Sequence, residues 1–394
     1  MSFGFAADDI GDFVYDVLTE YGYDFTAIEF LTGDNAYVNG KLADLISQWL
    51  WNQKKLRRIV PLVGCAAHRL NLAVQHLLSI EVNEVWYELI KKNHSLMVEL
   101  RSLKNRPKLA AVTLLAPIIR QGTRWNSVFN MIERYVKLCE ETDHFRLCIG
   151  LNAATRNLVP TYEGAHNEHN EIKMLHEVLK KFEATFKTLQ LEDSNKMSFD
   201  RVRFYFNKLI SEHPEISAYL AEDGANVHNK DFEKAICKIQ AAVRSQDVTV
   251  NLDRNQKSAV QIFLNSTTNA VSEDDNEVER SFIDLADEEF EQQSRKRPRT
   301  MFPYRCTDHV ATTSVIVERL FSRCGIIMRP HRRLMDPSTL EVLVMLRFNK
   351  DLWDELEVEK AMKRSSNLLQ EFATPISGGG GVSCSSSSTS SSRS

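Results

Sequence analysis

The chain lacks any Cys-x-x-Cys pair. Its seven cysteines, Cys65, Cys139, Cys148, Cys237, Cys306, Cys324 and Cys384, are odd in number and widely spread over 394 residues. That spacing excludes a conventional disulfide framework and a recognisable zinc finger, and it fits a reducing compartment. No run of 18 apolar residues is present, and "MSFGFAADDIGDF" has neither the basic nor the apolar region of a signal peptide. The expectation is an intracellular protein with no membrane partner. Neither sign of charge dominates: 49 Lys and Arg stand against 53 Asp and Glu, a formal net charge of −4. A uniformly basic nucleic-acid binder is excluded, so any DNA contact must come from local patches. With 43% hydrophobic and 26% charged residues the chain is not disordered throughout, and its length suits one large or two medium domains.

The first helix signal runs from Asp8 to Tyr21, with Ile10, Phe13, Val14, Val17 and Leu18 at helical spacing and Gly22 as its stop. "FTAIEFLTGDNA" (25 to 36) predicts a strand, principally over 25 to 34, that runs into a Gly-Asp-Asn turn. A helix follows from Ala36 to about Leu50, and "IVPLVGC" (59 to 65) predicts a second buried strand over 59 to 64. From Ala66 to about Ser245 apolar residues recur at three and four throughout, a long all-helical block. The polar, acidic stretch that follows, with "SEDDNEVER" and then basic "SRKRPRT", predicts a flexible linker over 246 to 304. Two further helices are predicted at about 310 to 324 and 337 to 350, joined by "RPHRRLMDP", with Asp336-Pro337 starting the second. The Gly/Ser tail from 366 to 394 is low in complexity and is expected to be disordered. The fold class is α/β and mostly helical: an α/β segment over 1–65, a helical domain over 66–245, the linker, and C-terminal helices over 305–365.

Four patches can carry chemistry, and each has a plain structural alternative. Asp34 stands at the C-terminal end of a predicted strand, where α/β folds place functional groups, but an Asp there also forms turns and caps helices. Cys65 and His68 are two ligand types three apart; a buried thiol beside a hydrogen-bonded imidazole is the alternative. In "TRWNS", Arg124 flanks Trp125, whose ring can stack on a base or anchor the helical core. Glu318 interrupts the apolar "SVIVERLFS". It either turns to water or pairs with a base, or else it ligates a metal, because burying a lone carboxylate costs several kcal/mol.

Taken in order, "LTGDNA", "VGCAAHRLNLAVQ", "GTRWNSVFNMIER", "FEATFKTLQ" and "SVIVERLFSRCGIIMRPHRRLMDPSTLEVLVMLRFN" resemble the hAT superfamily of DNA transposases over roughly residues 8 to 350. The resemblance implies a ribonuclease H-like core interrupted by a large all-α insertion, with the C-terminal helices completing the core and forming a dimerisation region. It implies that Asp34 and Glu318 match two of three acidic residues that hold paired Mg²⁺ or Mn²⁺ ions, and so lie close together in the fold. The family's Cys-x-x-His and Trp fall on Cys65, His68 and Trp125. The family's first acidic residue precedes the first helix, and Asp8, Asp9 and Asp12 lie on that helix and do not match it. The zinc finger that usually reads transposon ends has no counterpart either.

The leading expectation is therefore an N-terminally truncated, transposase-derived protein, catalytically incomplete, that retains self-association and DNA contact. The alternatives are an active metal-dependent transposase or nuclease completed by a missing segment or a partner chain, and a non-functional transposon remnant. Dimer contacts are expected at Leu343, Met345 and Leu346, since "LEVLVMLRF" is apolar on two faces, one of which can pack on Val310, Val317, Phe321 and Cys324. Phosphate contacts are expected from Arg124 and from "KKLRR" (54 to 58), "RSLKNRPK" (101 to 108) and "RPHRR", the last with Arg329, Arg332 and Arg333. No small-molecule substrate is expected. "SRKRPRT" fits a nuclear import signal, with the cytoplasm as the alternative location. An incomplete sheet would leave an exposed edge and poor solubility.

Overall fold

A computed structural model describes residues 6–122, 124–147, 151–161, 167–190, 197–245, 249–265, 302–328, 335–350 and 353–354. The "SRKRPRT" stretch, Arg329, Arg332, Arg333 and the Gly/Ser tail lie outside the described residues. The chain divides into two compact units, one ending at Ile316 and the other beginning at Val317. The fold is mostly helical α/β, as the hydrophobic periodicity predicts.

The first unit opens with α1 (Ala7–Glu20), which ends where Gly22 takes a left-handed φ of 76° that only glycine adopts freely. Its Ile10, Val14 and Leu18 pack on a small core of Phe25, Leu42, Ile46, Leu50 and Val60, whereas Phe13 and Val17 of the predicted stripe are exposed. The strand predicted over 25 to 34 shortens to β1 (Leu31–Gly33). Phe25–Ala27 form a 3₁₀ turn instead, because the Asp24 carboxylate accepts from Thr26 N at 2.8 Å and Phe25 is buried between Tyr15 and Trp49. A local cap and one buried ring outweigh the strand propensity of the stretch.

Helix α2 (Tyr37–Lys54) crosses over to β2 (Leu62–Gly64), which pairs parallel with β1 in the register Leu31↔Leu62, Thr32↔Val63, Gly33↔Gly64. This βαβ unit is the whole sheet among the described residues. The helical block follows: α3 (Ala66–Leu77), α4 (Glu84–Arg101), α5 (Arg106–Ala110), α6 (Asn126–Leu147), α7 (Ala153–Arg156), α8 (Glu168–Leu189), α9 (Phe199–Glu212), α10 (Ser217–Leu220) and α11 (Lys230–Ser245). Asn83 and Asn167 cap α4 and α8 by accepting from Trp86 N and Asn170 N. Helices α3, α4, α6, α8 and α9 bury one continuous core in which Leu70, Leu96, Tyr135, Leu179 and Phe206 are fully enclosed.

Part of the stretch predicted as linker is folded. Residues 249–265 include α12 (Arg254–Ala259), capped by Asp253, and they bury Leu252, Val260 and Phe263 against Phe232 and Ile236 of α11. Leu264 bridges antiparallel to Tyr304, and the chain then threads back beneath the sheet. There the Gln240 side chain receives Phe199 N and donates to Thr307 O. Thr32 Oγ1 donates to Ala311 O at 3.1 Å, and Ala66 N donates to Thr312 O at 2.9 Å. The apolar residues of the stretch, not its overall polarity, decide that it folds.

One buried ion pair ties these layers together. Arg69 of α3 donates to Glu233 of α11 at 3.0 Å and to the carbonyls of Tyr219 and Ala221, and it lies 5.7 Å from the Phe206 ring of α9. Near the surface, Glu29 accepts from Arg305 and, at 2.8 Å, from His309.

In the second unit, helix Val315–Ile327 crosses the unit boundary, and helix Pro337–Phe348 starts at Asp336, whose carboxylate accepts from Ser338 N at 3.1 Å as the Asp-Pro pair predicts. Leu340, Leu343 and Val344 are half-buried and Val342, Met345 and Leu346 exposed, the two stripes expected. The predicted covering stripe is corrected: Val310 belongs to the first unit's core, Val317 and Phe321 are exposed, and Cys324 is half-buried.

Arg69→Ala strands a buried carboxylate and should cost about 3–5 kcal/mol in urea unfolding, whereas Arg69→Met with Glu233→Met should restore most of that loss. Glu29 gives a pH signature. Burial pushes its carboxyl up, but the His309 and Arg305 donors outweigh burial and hold it below the usual carboxylate value. A depressed acid stabilises the fold above its unfolded pKa, about 4.3 for Glu, and that stability is lost as the pH falls through the folded value. The melting-temperature gap between wild type and Glu29→Gln should therefore be open at pH 7 and close toward pH 3.

Candidate functional site

Both strands end on glycine, and the in-register pair Gly33↔Gly64 sets the next residues, Asp34 and Cys65, side by side at the carboxyl end of the sheet. Cys65 N donates to Gly33 O at 2.7 Å, which fixes this adjacency. A Cβ at Gly33 would meet Asn39 Nδ2 at 2.8 Å, so any larger residue here would push the Asn39 side chain from its place. The carboxyl ends of parallel strands are where α/β folds bind ligands, so the sequence expectation for Asp34 places it at the right end of the sheet.

Asp34 is exposed. Its Oδ1 accepts from Ala36 N at 3.0 Å and from Asn39 Nδ2 at 2.8 Å, the turn-forming role that fastens β1 to the first turn of α2. Oδ2 makes no hydrogen bond among the described residues. Cys65 is fully buried at the start of α3, and its Sγ accepts from Ser314 N at 3.3 Å. His68 is half-buried one turn further along. The pair thus anchors the returning 311–314 segment through its thiol.

Of the two readings of Trp125, base stacking or core anchor, its burial fits the second, and its place among the nucleic-acid contacts is corrected. Trp125 is 1% exposed, edge-on to Phe186 at 5.8 Å, with its backbone N donating to Asn71 of α3. No face of the ring is open to a nucleobase, because the start of α6 must bury a large apolar group to close the helical core. Arg124 beside it is exposed. Glu318 is exposed as well and belongs to the second unit, so the carboxylate in "SVIVERLFS" incurs no burial cost.

A divalent ion of the Mg²⁺ kind takes about six oxygen ligands. Asp34 offers one carboxylate oxygen outside its turn, Cys65 is spent on Ser314, and among the described residues no three His, Cys, Asp or Glu side chains converge to hold a metal. The described residues do not assemble the donor set of a two-metal centre.

Behind the sheet end lies a cavity of about 30 Å³, room for a water or two, lined by Gly64, Arg69, Arg203, Glu222, Glu233 and Cys237. Burial pushes the Glu233 carboxyl up against the opposing pull of Arg69, and it pushes the Cys237 thiol up to about 11. A thiol so raised is no nucleophile at neutral pH. Burial also lowers Arg203, which donates to Leu220 O. Of these side chains, Cys237 entered the sequence reading only as one of seven scattered cysteines, and none was singled out as a site residue. Arg69 was visible as a charge inside the apolar stripe Ala66, Leu70, Ala73, but its partner lies 164 residues away.

No family model matches the chain, and no curated protein matches it either.

Because the role of Asp34 is to accept hydrogen bonds at Oδ1, Asp34→Asn should leave the thermal midpoint within a degree or two of wild type. Asp34→Ala should cost about 1 kcal/mol, the loss typical of a removed cap. Paired melts of the two variants check this.

Proposed function

We propose that the chain is a transposase-related protein of hAT type whose activity is self-association with nucleic-acid contact, and we assign it no strand-cleavage step. The observation that carries the self-association is the set of apolar side chains exposed among the described residues of the second unit. Helix Pro337–Phe348 has no buried residue, and Met345 at 63%, Val342 at 54% and Leu346 at 45% exposure stand on one side of it. On helix Val315–Ile327, Phe321 is 68% exposed. Apolar side chains exposed together on one helix face are unfavourable in water, which supports an interaction surface there. The occupant proposed is a second copy, because an apolar helix face is self-complementary about a two-fold axis.

Two features of the first unit support the relation to transposases. The βαβ unit carries Asp34 at its carboxyl end, and the helical block stands between β2 and the 311–314 segment that returns to Thr32 and Ala66. Such connectivity is what the proposed reading, a core interrupted by an insertion, calls for. Nucleic-acid contact would come from the basic patches, and "SRKRPRT" would direct the protein to the nucleus.

Sedimentation velocity of the whole chain at tens of micromolar tests self-association. The expected result is a dimer in which Met345→Asp or Leu346→Asp raises the dissociation constant at least about 30-fold, the roughly 2 kcal/mol of a central apolar anchor. A monomer whose behaviour neither substitution changes would overturn the reading.

A further inference from the structure

The end of α2 carries a second feature, in the "WLWNQKKLRRIV" stretch. Residues two apart on a helix point about 200° apart, so Trp49 and Trp51 face opposite ways. Trp49 packs inward, 5.2 Å from Phe25 and 5.7 Å from Tyr15. Trp51 faces out and is 44% exposed.

The chain then doubles back. Lys55 takes a left-handed φ of 56°, Leu56 N donates to Leu50 O at 3.1 Å, and Val60 N donates to Ser47 Oγ at 2.9 Å. The reversal brings the Arg57 guanidinium to 4.6 Å from the Trp51 ring centroid. It also leaves a groove of about 320 Å³, lined among others by Gln48, Trp51, Asn52, Leu56, Arg57 and Ile59 and by no acidic residue. That volume is at the lower end of small-ligand pockets, about 300–1,000 Å³. Leu56 and Ile59 are exposed, the latter by 73%.

Two of the four cations in "KKLRR" serve the fold. Lys54 pairs with Asp24 at 2.8 Å, and Arg58 donates to the carbonyls of Phe25 and Thr26. Arg57 remains exposed in the groove's lining, and Lys55, exposed beside it, donates to the carbonyl of Asn52, one of the lining residues. An apolar slot with an aromatic wall and a cationic rim fits a ligand with a flat apolar face and a negatively charged backbone. An unpaired nucleotide has both, whereas a duplex hides its base faces in the stack.

We propose that this groove binds single-stranded nucleic acid, seating an unpaired base against Trp51 with its phosphates on Arg57 and Lys55. The proposal rests on the nucleic-acid half of the reading above and is independent of self-association.

The test is fluorescence anisotropy of a labelled 12-nucleotide single strand and of the matching duplex with the whole chain, across a salt series. The expected result is preference for the single strand. Trp51→Ala should weaken it about fivefold to a hundredfold, and Trp51→Phe should retain most of the affinity. Arg57→Gln should lower the log–log salt slope by about 0.7, one phosphate's share. Unchanged melting temperatures should accompany all three, since Trp51 and Arg57 are surface residues. Binding to neither probe would overturn both this proposal and the nucleic-acid half of the broader reading. Binding that none of the substitutions alters, or that favours duplex, would overturn this proposal alone. Capture of an acidic aromatic peptide with no oligonucleotide binding would assign the groove to a protein partner and overturn it as well.

Discussion

The first unit depends on the Arg69–Glu233 pair. Both ends are buried, and the guanidinium also holds the carbonyls of Tyr219 and Ala221, so one side chain connects α3, α9, α10 and α11 where they meet the end of β2. Buried pairs of this kind add little net stability over an apolar replacement of equal volume. What they impose is position: any other arrangement of these helices leaves a charge in the core without its partner. The helical core and the core around Phe232 and Phe263 are therefore held in one arrangement by polar geometry at their junction, and each fills with apolar side chains that are less particular about their neighbours.

The same layering explains what could be read in advance. The helical block was legible because its apolar residues repeat at three and four over many turns. Two strands were legible, but over 25 to 34 and 59 to 64; only Leu31–Gly33 and Leu62–Gly64 form them, and Asp34 stands at their carboxyl end as expected. Residues 25 to 30 were misjudged because strand propensity there is overridden by the Asp24 cap and by one buried phenylalanine, both of which depend on α1 and α2 being in place. Residues 249 to 265 were misjudged because average polarity hides Leu252, Val260 and Phe263. Partners distant in sequence, such as Arg69 with Glu233 or Glu29 with Arg305 and His309, leave no local signal at all.

The site residues divide by the same rule. Asp34, argued from strand direction, stands at the carboxyl end of β1, and Trp125, whose ring could stack on a base or anchor the core, is consumed by packing. Trp51 carries the complementary lesson. It stands two positions from the half-buried Trp49 on the same helix, and that spacing puts the two rings on opposite faces.

The hydrogen bond from Thr32 to Ala311 spans 279 positions, and it sets an order of assembly. Strand β1 leaves the ribosome long before its final neighbour exists; at about 5–20 residues per second the wait is roughly 15–55 s. The entropy of closing so long a loop grows only slowly, about 0.6 kcal/mol per doubling, and prior folding of the helices between shortens the free chain. If the helical block forms first from its local contacts, it acts as a splint that carries the 311–314 segment to the sheet end.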